Sequence, residues 1–113
     1  MNIIEMNDGR KIDYTIDKTK INFNDELILN LAKYEQDSVI TIDICSDING
    51  NLSTAVAFKY VAQIEIPARE YIIGEADNPE YNEDDEQSKR SIETKEPIPF
   101  DIDKVTLRLW SVE

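Results

Sequence analysis

Leu52-Ser53-Thr54-Ala55-Val56-Ala57-Phe58-Lys59-Tyr60-Val61-Ala62-Gln63-Ile64-Glu65-Ile66 is the stretch on which the fold turns. Its even positions read Leu, Thr, Val, Phe, Tyr, Ala, Ile, Ile, so seven of eight are apolar, against three of the seven odd ones. Side chains on a strand point alternately to opposite faces, and a period of two marks a half-buried β-strand. At about 3.3 Å per residue the run would span roughly 50 Å, longer than strands of small domains usually are. A bend or bulge is therefore expected within 55–62, with Phe58 and Ile64 on one inward face. Pro67 ends the central pairing or marks an edge.

Upstream, Val39 to Cys45 alternates cleanly, with Ile40, Ile42 and Ile44 on one face and Thr41 and Asp43 on the other. Asn49-Gly50 follows, the signal of a tight hairpin turn between this strand and the next. Near the start, Asn7-Asp8-Gly9 separates the apolar run 2–6 from Lys11-Ile12-Asp13-Tyr14-Thr15-Ile16-Asp17, which reads as another hairpin. The segment 21–36 fits two readings. As a helix, Asn24 caps it and Phe23 and Ile28 form a hydrophobic staple. As a strand, Leu27, Leu29 and Leu31 share a side. Strands on both flanks favour the strand, with one short helix at 25–34 as the alternative.

Downstream, Tyr71-Ile72-Ile73-Gly74 suggests a short strand before the composition changes. Residues 75–98 hold nine acids and three bases, a net −6 and half of the chain's −12. With few apolar residues to bury, this insert is expected to be a long, flexible acidic loop or an extended excursion. Val105, Leu107 and Leu109 alternate with polar neighbours in a closing strand. The whole, residues 1–113, is expected to be a single β-rich domain, an antiparallel sandwich or small barrel of six to eight strands with hairpins.

Composition narrows the function. Twenty-four acids, twelve bases and no histidine oppose direct nucleic-acid binding and membrane binding, both of which need a basic footprint. This charge favours a basic partner, a cation or plain solubility; the expected partner is a protein, either a second copy or a basic protein. Cys45 is the single cysteine, so an internal disulfide and a thiolate–imidazole zinc site are excluded. The N-terminal residues lack both a basic region and a long apolar run, so no signal peptide is expected. No run approaches the roughly 20 apolar residues of a membrane helix, and the expected location is cytoplasmic.

No catalytic constellation can be assembled. Serine or cysteine nucleophiles lack the commonest base, Cys45 reads as a buried inert thiol, and Asp43 reads as a solvent-facing acid opposite three isoleucines. Asp47, Asn49 and Asn51 have the first spacings of a calcium loop, but Gly50 and Phe58 stand where that loop needs other residues, and the turn explains the same pattern. No metal or cofactor is implied. The candidate site is a partner-binding acidic patch, Glu83, Asp84, Asp85 and Glu86.

Two segments carry a resemblance. They are Tyr60-Val61-Ala62-Gln63-Ile64-Glu65-Ile66-Pro67-Ala68-Arg69-Glu70-Tyr71 and Pro99-Phe100-Asp101-Ile102-Asp103-Lys104-Val105-Thr106-Leu107-Arg108-Leu109-Trp110. With the acidic insert between them, they resemble small uncharacterised acidic proteins of phages and conjugative elements of low-GC Gram-positive bacteria. The resemblance covers under half the chain and carries no catalytic residue. It implies a structural or assembly protein of a phage or mobile genetic element, not an enzyme. The first alternative is an acidic mimic of nucleic acid that occupies a basic groove on another protein; the second is an acid-dependent enzyme.

Overall fold

The computed structural model describes residues 1–86 and 89–113. These form ten strands: β1 (Asn2–Glu5), β2 (Tyr14–Asp17), β3 (Lys20–Phe23), β4 (Leu27–Asn30), β5 (Ile40–Ser46), β6 (Leu52–Ser53), β7 (Lys59–Ile66), β8 (Tyr71–Asp77), β9 (Ser91–Pro97) and β10 (Thr106–Leu109). Two 3-10 turns, Leu31–Lys33 and Ile102–Lys104, complete the described elements. The chain divides into two compact units, Met1–Ala68 with Phe100–Glu113, and Arg69–Pro99.

The first unit holds a five-stranded sheet in the order β1-β10-β7-β5-β6 and a three-stranded sheet in the order β2-β3-β4. All neighbours are antiparallel except β1 and β10, which run parallel. Apolar faces of both sheets meet in one core. Ile21, Phe23, Leu29 and Leu31 come from the smaller sheet and the turn after it; Ile42, Ile44, Ile64, Ile66, Leu107 and Leu109 come from the larger. The larger sheet ends on β1 and β6, so it does not close into a barrel.

The expected bulge lies at Val61. The β5–β7 register steps from Ile44↔Ala62 to Cys45↔Tyr60, leaving Val61 as the extra residue. A bulge exchanges the faces of the strand beyond it. Ile64 and Ile66 are fully buried, and Tyr60 beyond the bulge turns outward at 44 % exposed; Val56 and Phe58 lie outside any strand, in the connection 54–58 between β6 and β7, and are 78 % and 69 % exposed. The placement of Phe58 on the inward face with Ile64 is corrected accordingly.

Other expectations shift for equally local reasons. The Asp8-Gly9 turn exists, with Gly9 at φ 116, but β1 pairs with β10 rather than with β2. A turn signal reports that the chain reverses and says nothing of which strand it meets. Strands β5 and β6 do form a hairpin, through a five-residue turn rather than a two-residue one. Of Asn49 and Gly50 only Gly50 has a positive φ, and the two-residue type I′ turn needs both. The segment 25–34 is not a helix over its length: it is strand over Leu27–Asn30 and a single 3-10 turn over Leu31–Lys33. Val105, Leu107 and Leu109 are buried as expected.

The second unit corrects the reading of 75–98 as a loop. β8 and β9 pair along seven residues each, from Tyr71↔Pro97 to Asp77↔Ser91. Alternation is present in Ile72, Gly74, Ala76 and again in Ile92, Thr94, but charged residues between them hide it from a composition argument. Positions 87–88 of the expected loop lie outside the described residues.

Candidate functional site

The β8–β9 ribbon is amphipathic in its own register. Residues directly opposite in an antiparallel pair share a face. One face carries Ile72, Gly74 and Ala76 with their partners Glu96, Thr94 and Ile92; the other carries Tyr71, Ile73, Glu75 and Asp77 with Pro97, Lys95, Glu93 and Ser91. Ile72 and Ile92 are exposed, as is Ile73 on the second face. Glu75 stands directly opposite Glu93, a pairing that works against the bare ribbon because like charges across a pair repel. Lys95 Nζ lies 4.2 Å from the centre of the Tyr71 ring, a cation–π contact at the base of that face.

The four acids singled out from the sequence sit in the connection between these strands. Asn78 organises it: its backbone N–H donates to Arg90 O, its Nδ2 donates to Lys89 O, and its Oδ1 accepts from the Glu80 N–H at 2.9 Å. Asn82 repeats the device, with Oδ1 accepting from the Asp84 N–H. Such side-chain turns hold loops without any buried core. Glu83, Asp84, Asp85 and Glu86 are all exposed. The structure places them with Glu75, Asp77 and Glu93 in the same unit, at its end beyond the last strand pair.

The remaining sequence candidates have structural partners. Cys45 is fully buried in β5. Asp43 is half-buried on the outer face of the larger sheet, where its Oδ1 accepts from Gln63 Nε2 at 2.9 Å. Gln63 Oε1 in turn accepts from Arg108 Nη1, which also reaches Glu65. Asp47 is consumed by its own turn, accepting from the Asn49 and Asn51 N–H groups and from Asn51 Nδ2. The hydrogen bond from the Asn51 N–H is the main reason its carboxyl is held below the ordinary carboxylate value. Among the described residues no three His, Cys, Asp or Glu side chains cluster as a metal site.

One feature escapes a reading of the sequence. In the first unit a cleft of about 350 Å³ is bounded by Arg10, Lys11 and Lys59, with Ile12, Val61 and Val112 among its lining. Its cations come from the loop before β2 and from the start of β7, and each looks locally like an ordinary solvated base. Only the fold brings them together.

Among the described residues no helix is long and apolar enough to cross a membrane. Compared with protein-family models, curated proteins and solved structures, the chain matches none of them.

Proposed function

We propose that the protein is a non-catalytic interaction protein, a structural or assembly component of a phage or mobile genetic element, that joins another protein through the β8–β9 ribbon. The observation that carries this reading is the ribbon's exposed apolar side chains, Ile72 and Ile92, on a sheet of two strands whose outer edges pair with no other described strand. An isolated two-stranded ribbon is marginal in water, and free edges with exposed apolar residues are templates for pairing with another chain. The absence of histidine supports a non-catalytic role, and the resemblance of the segments flanking the ribbon supports the mobile-element setting.

A second reading is favoured by a separate observation. Glu75, Asp77 and Glu93 share one face of the ribbon, and residues two apart on a strand are roughly 6–7 Å apart, a spacing that suits a run of phosphates. On this reading the ribbon is an acidic mimic that enters a basic groove.

Sedimentation of the purified protein and pull-down from the native host, each across a salt series, separate the two. Assembly through apolar edges predicts association that survives high salt and is lost in an Ile72→Ser, Ile92→Ser double variant. Mimicry predicts association that collapses in moderate salt, because surface charges are screened within about 8 Å at physiological ionic strength, and that weakens when Glu75, Asp77 and Glu93 are neutralised together and further when Glu83, Asp84, Asp85 and Glu86 are. The second pattern would overturn the assembly reading.

A further inference from the structure

We infer that the cleft in the first unit binds a small organic acid, a carboxylate carried on an apolar or aryl body. The inference does not rest on the ribbon or on its role. Three cationic side chains, Arg10, Lys11 and Lys59, line the cleft of a chain with a net charge of −12. With two acids for every base, each cation has many carboxylates to pair with, yet none of the three forms an ion pair among the described residues. Lys11 Nζ donates to Gly9 O at 2.7 Å and Lys59 Nζ donates to Val112 O at 3.1 Å. These neutral carbonyls hold the ammonium groups in place without an ion pair. Asp13 and Asp47 also line the cleft and offset part of the cations' charge, so three bases against two acids leave one positive charge in excess. Asp47 is engaged by the N–H groups of its own turn, and Asp13 forms no ion pair with a described residue.

The rest of the cleft sets the class of ligand. Ile12, Val61 and Val112 give the cleft an apolar patch within a lining that is otherwise mostly polar. Phe58, 69 % exposed in the connection before β7, also lines the cleft. Ligand sites combine an apolar lining with a few convergent polar groups and occupy about 300–1,000 Å³. A cleft of about 350 Å³ lies at the small end of that range. Cations beside an apolar patch match a molecule with an anionic head and an apolar body. A neutral ligand would leave the cations unused, and a nucleic-acid strand would meet the repulsion of the whole chain.

The test is an amide chemical-shift titration of the full chain with 4-phenylbutyrate and with octanoate, against 4-phenylbutylamine and octylamine as controls of matched size. At least one acid is expected to give saturating shifts centred on Ile12, Leu52, Val61 and Val112, with neither amine doing so. An Arg10→Gln, Lys11→Gln, Lys59→Gln variant is expected to bind that acid at least tenfold more weakly while melting as the parent does. If the triple variant does not fold, Lys59→Gln alone must still weaken binding severalfold. The inference is overturned if neither acid saturates, if the amines bind as well as the acids, if the shifts centre elsewhere, or if the variants bind as the parent does.

Discussion

The two units use the same kind of residue to opposite ends. In the first, isoleucines on β3, β5 and β7 are sealed between two sheets: Ile21, Ile44, Ile64 and Ile66 have no solvent exposure. In the second, isoleucines on β8 and β9 stand in water, Ile72 at 58 % and Ile92 at 44 %. All are β-branched residues on antiparallel strands with alternating neighbours. What separates them is a second layer. A sheet with another sheet against its apolar face becomes core, whereas an apolar face without such a layer is a surface for something else.

Paired truncations put this contrast at risk. Phe23→Ala in the first core should cost about 3–5 kcal/mol, as the loss of a fully buried ring does, whereas Ile72→Ala in the ribbon should stay within about 0.5 kcal/mol. Denaturant unfolding of the two variants measures both. A large loss at Ile72 would mean that the ribbon's isoleucines are core after all, and the contrast would fail.

A smaller effect tests the backbone of the first unit. Gly9 has a φ of 116, and a Cβ added there would run into the Ser111 side chain. Gly9→Ala should therefore destabilise by about 1–3 kcal/mol through strain alone, since the substitution removes no apolar group from the core. A thermal melt unchanged by this substitution would show that the turn adapts freely and that the packing of the first unit is looser than its core implies.

The smallest effect concerns the β5–β6 turn. The folded carboxyl of Asp47 lies below its ordinary value of 3.8, chiefly through the Asn51 N–H. A depressed folded value means that the unfolded chain takes up the proton first as pH falls. The contribution of Asp47 is thus complete above the ordinary value and disappears as pH drops through the lower folded one. The stability difference between the parent and an Asp47→Asn variant should therefore narrow in that acidic window, read from melts at stepped pH. A difference that stays constant through the window would show that the turn does not depend on the charge of Asp47.

Legibility followed the range of the physics. Local alternation placed β5, β7 and β10, because burial on one face writes period two directly into Ile42, Ile44, Ile64, Leu107 and Leu109. It failed at Phe58, because the chain leaves the sheet over 54–58 and an extra residue at Val61 turns Tyr60 outward, and nothing in the alternation of 52–66 announces either break. Charge concealed the ribbon: Glu75, Asp77 and Glu93 alternate with Ala76, Ile92 and Thr94, and counting acids across the segment erased that order. The acidic patch was legible as composition. The cleft was not, since its cations meet only after the strands have paired.

The parallel pairing of β1 with β10 sets the order in which the larger sheet can be built. Asn2 lies beside Thr106 and Glu5 beside Leu109, so β1 leaves the ribosome long before its partner does. Contacts of such separation slow folding, because a long stretch of chain must be gathered before they form. β8–β9 is a local hairpin and needs only its own residues. As the chain folds, the ribbon can pair before β1 and β10 have met, and β7 keeps an open edge until β10 docks on it. The surface proposed for a partner is therefore available earlier in the life of the chain than the completed five-stranded sheet.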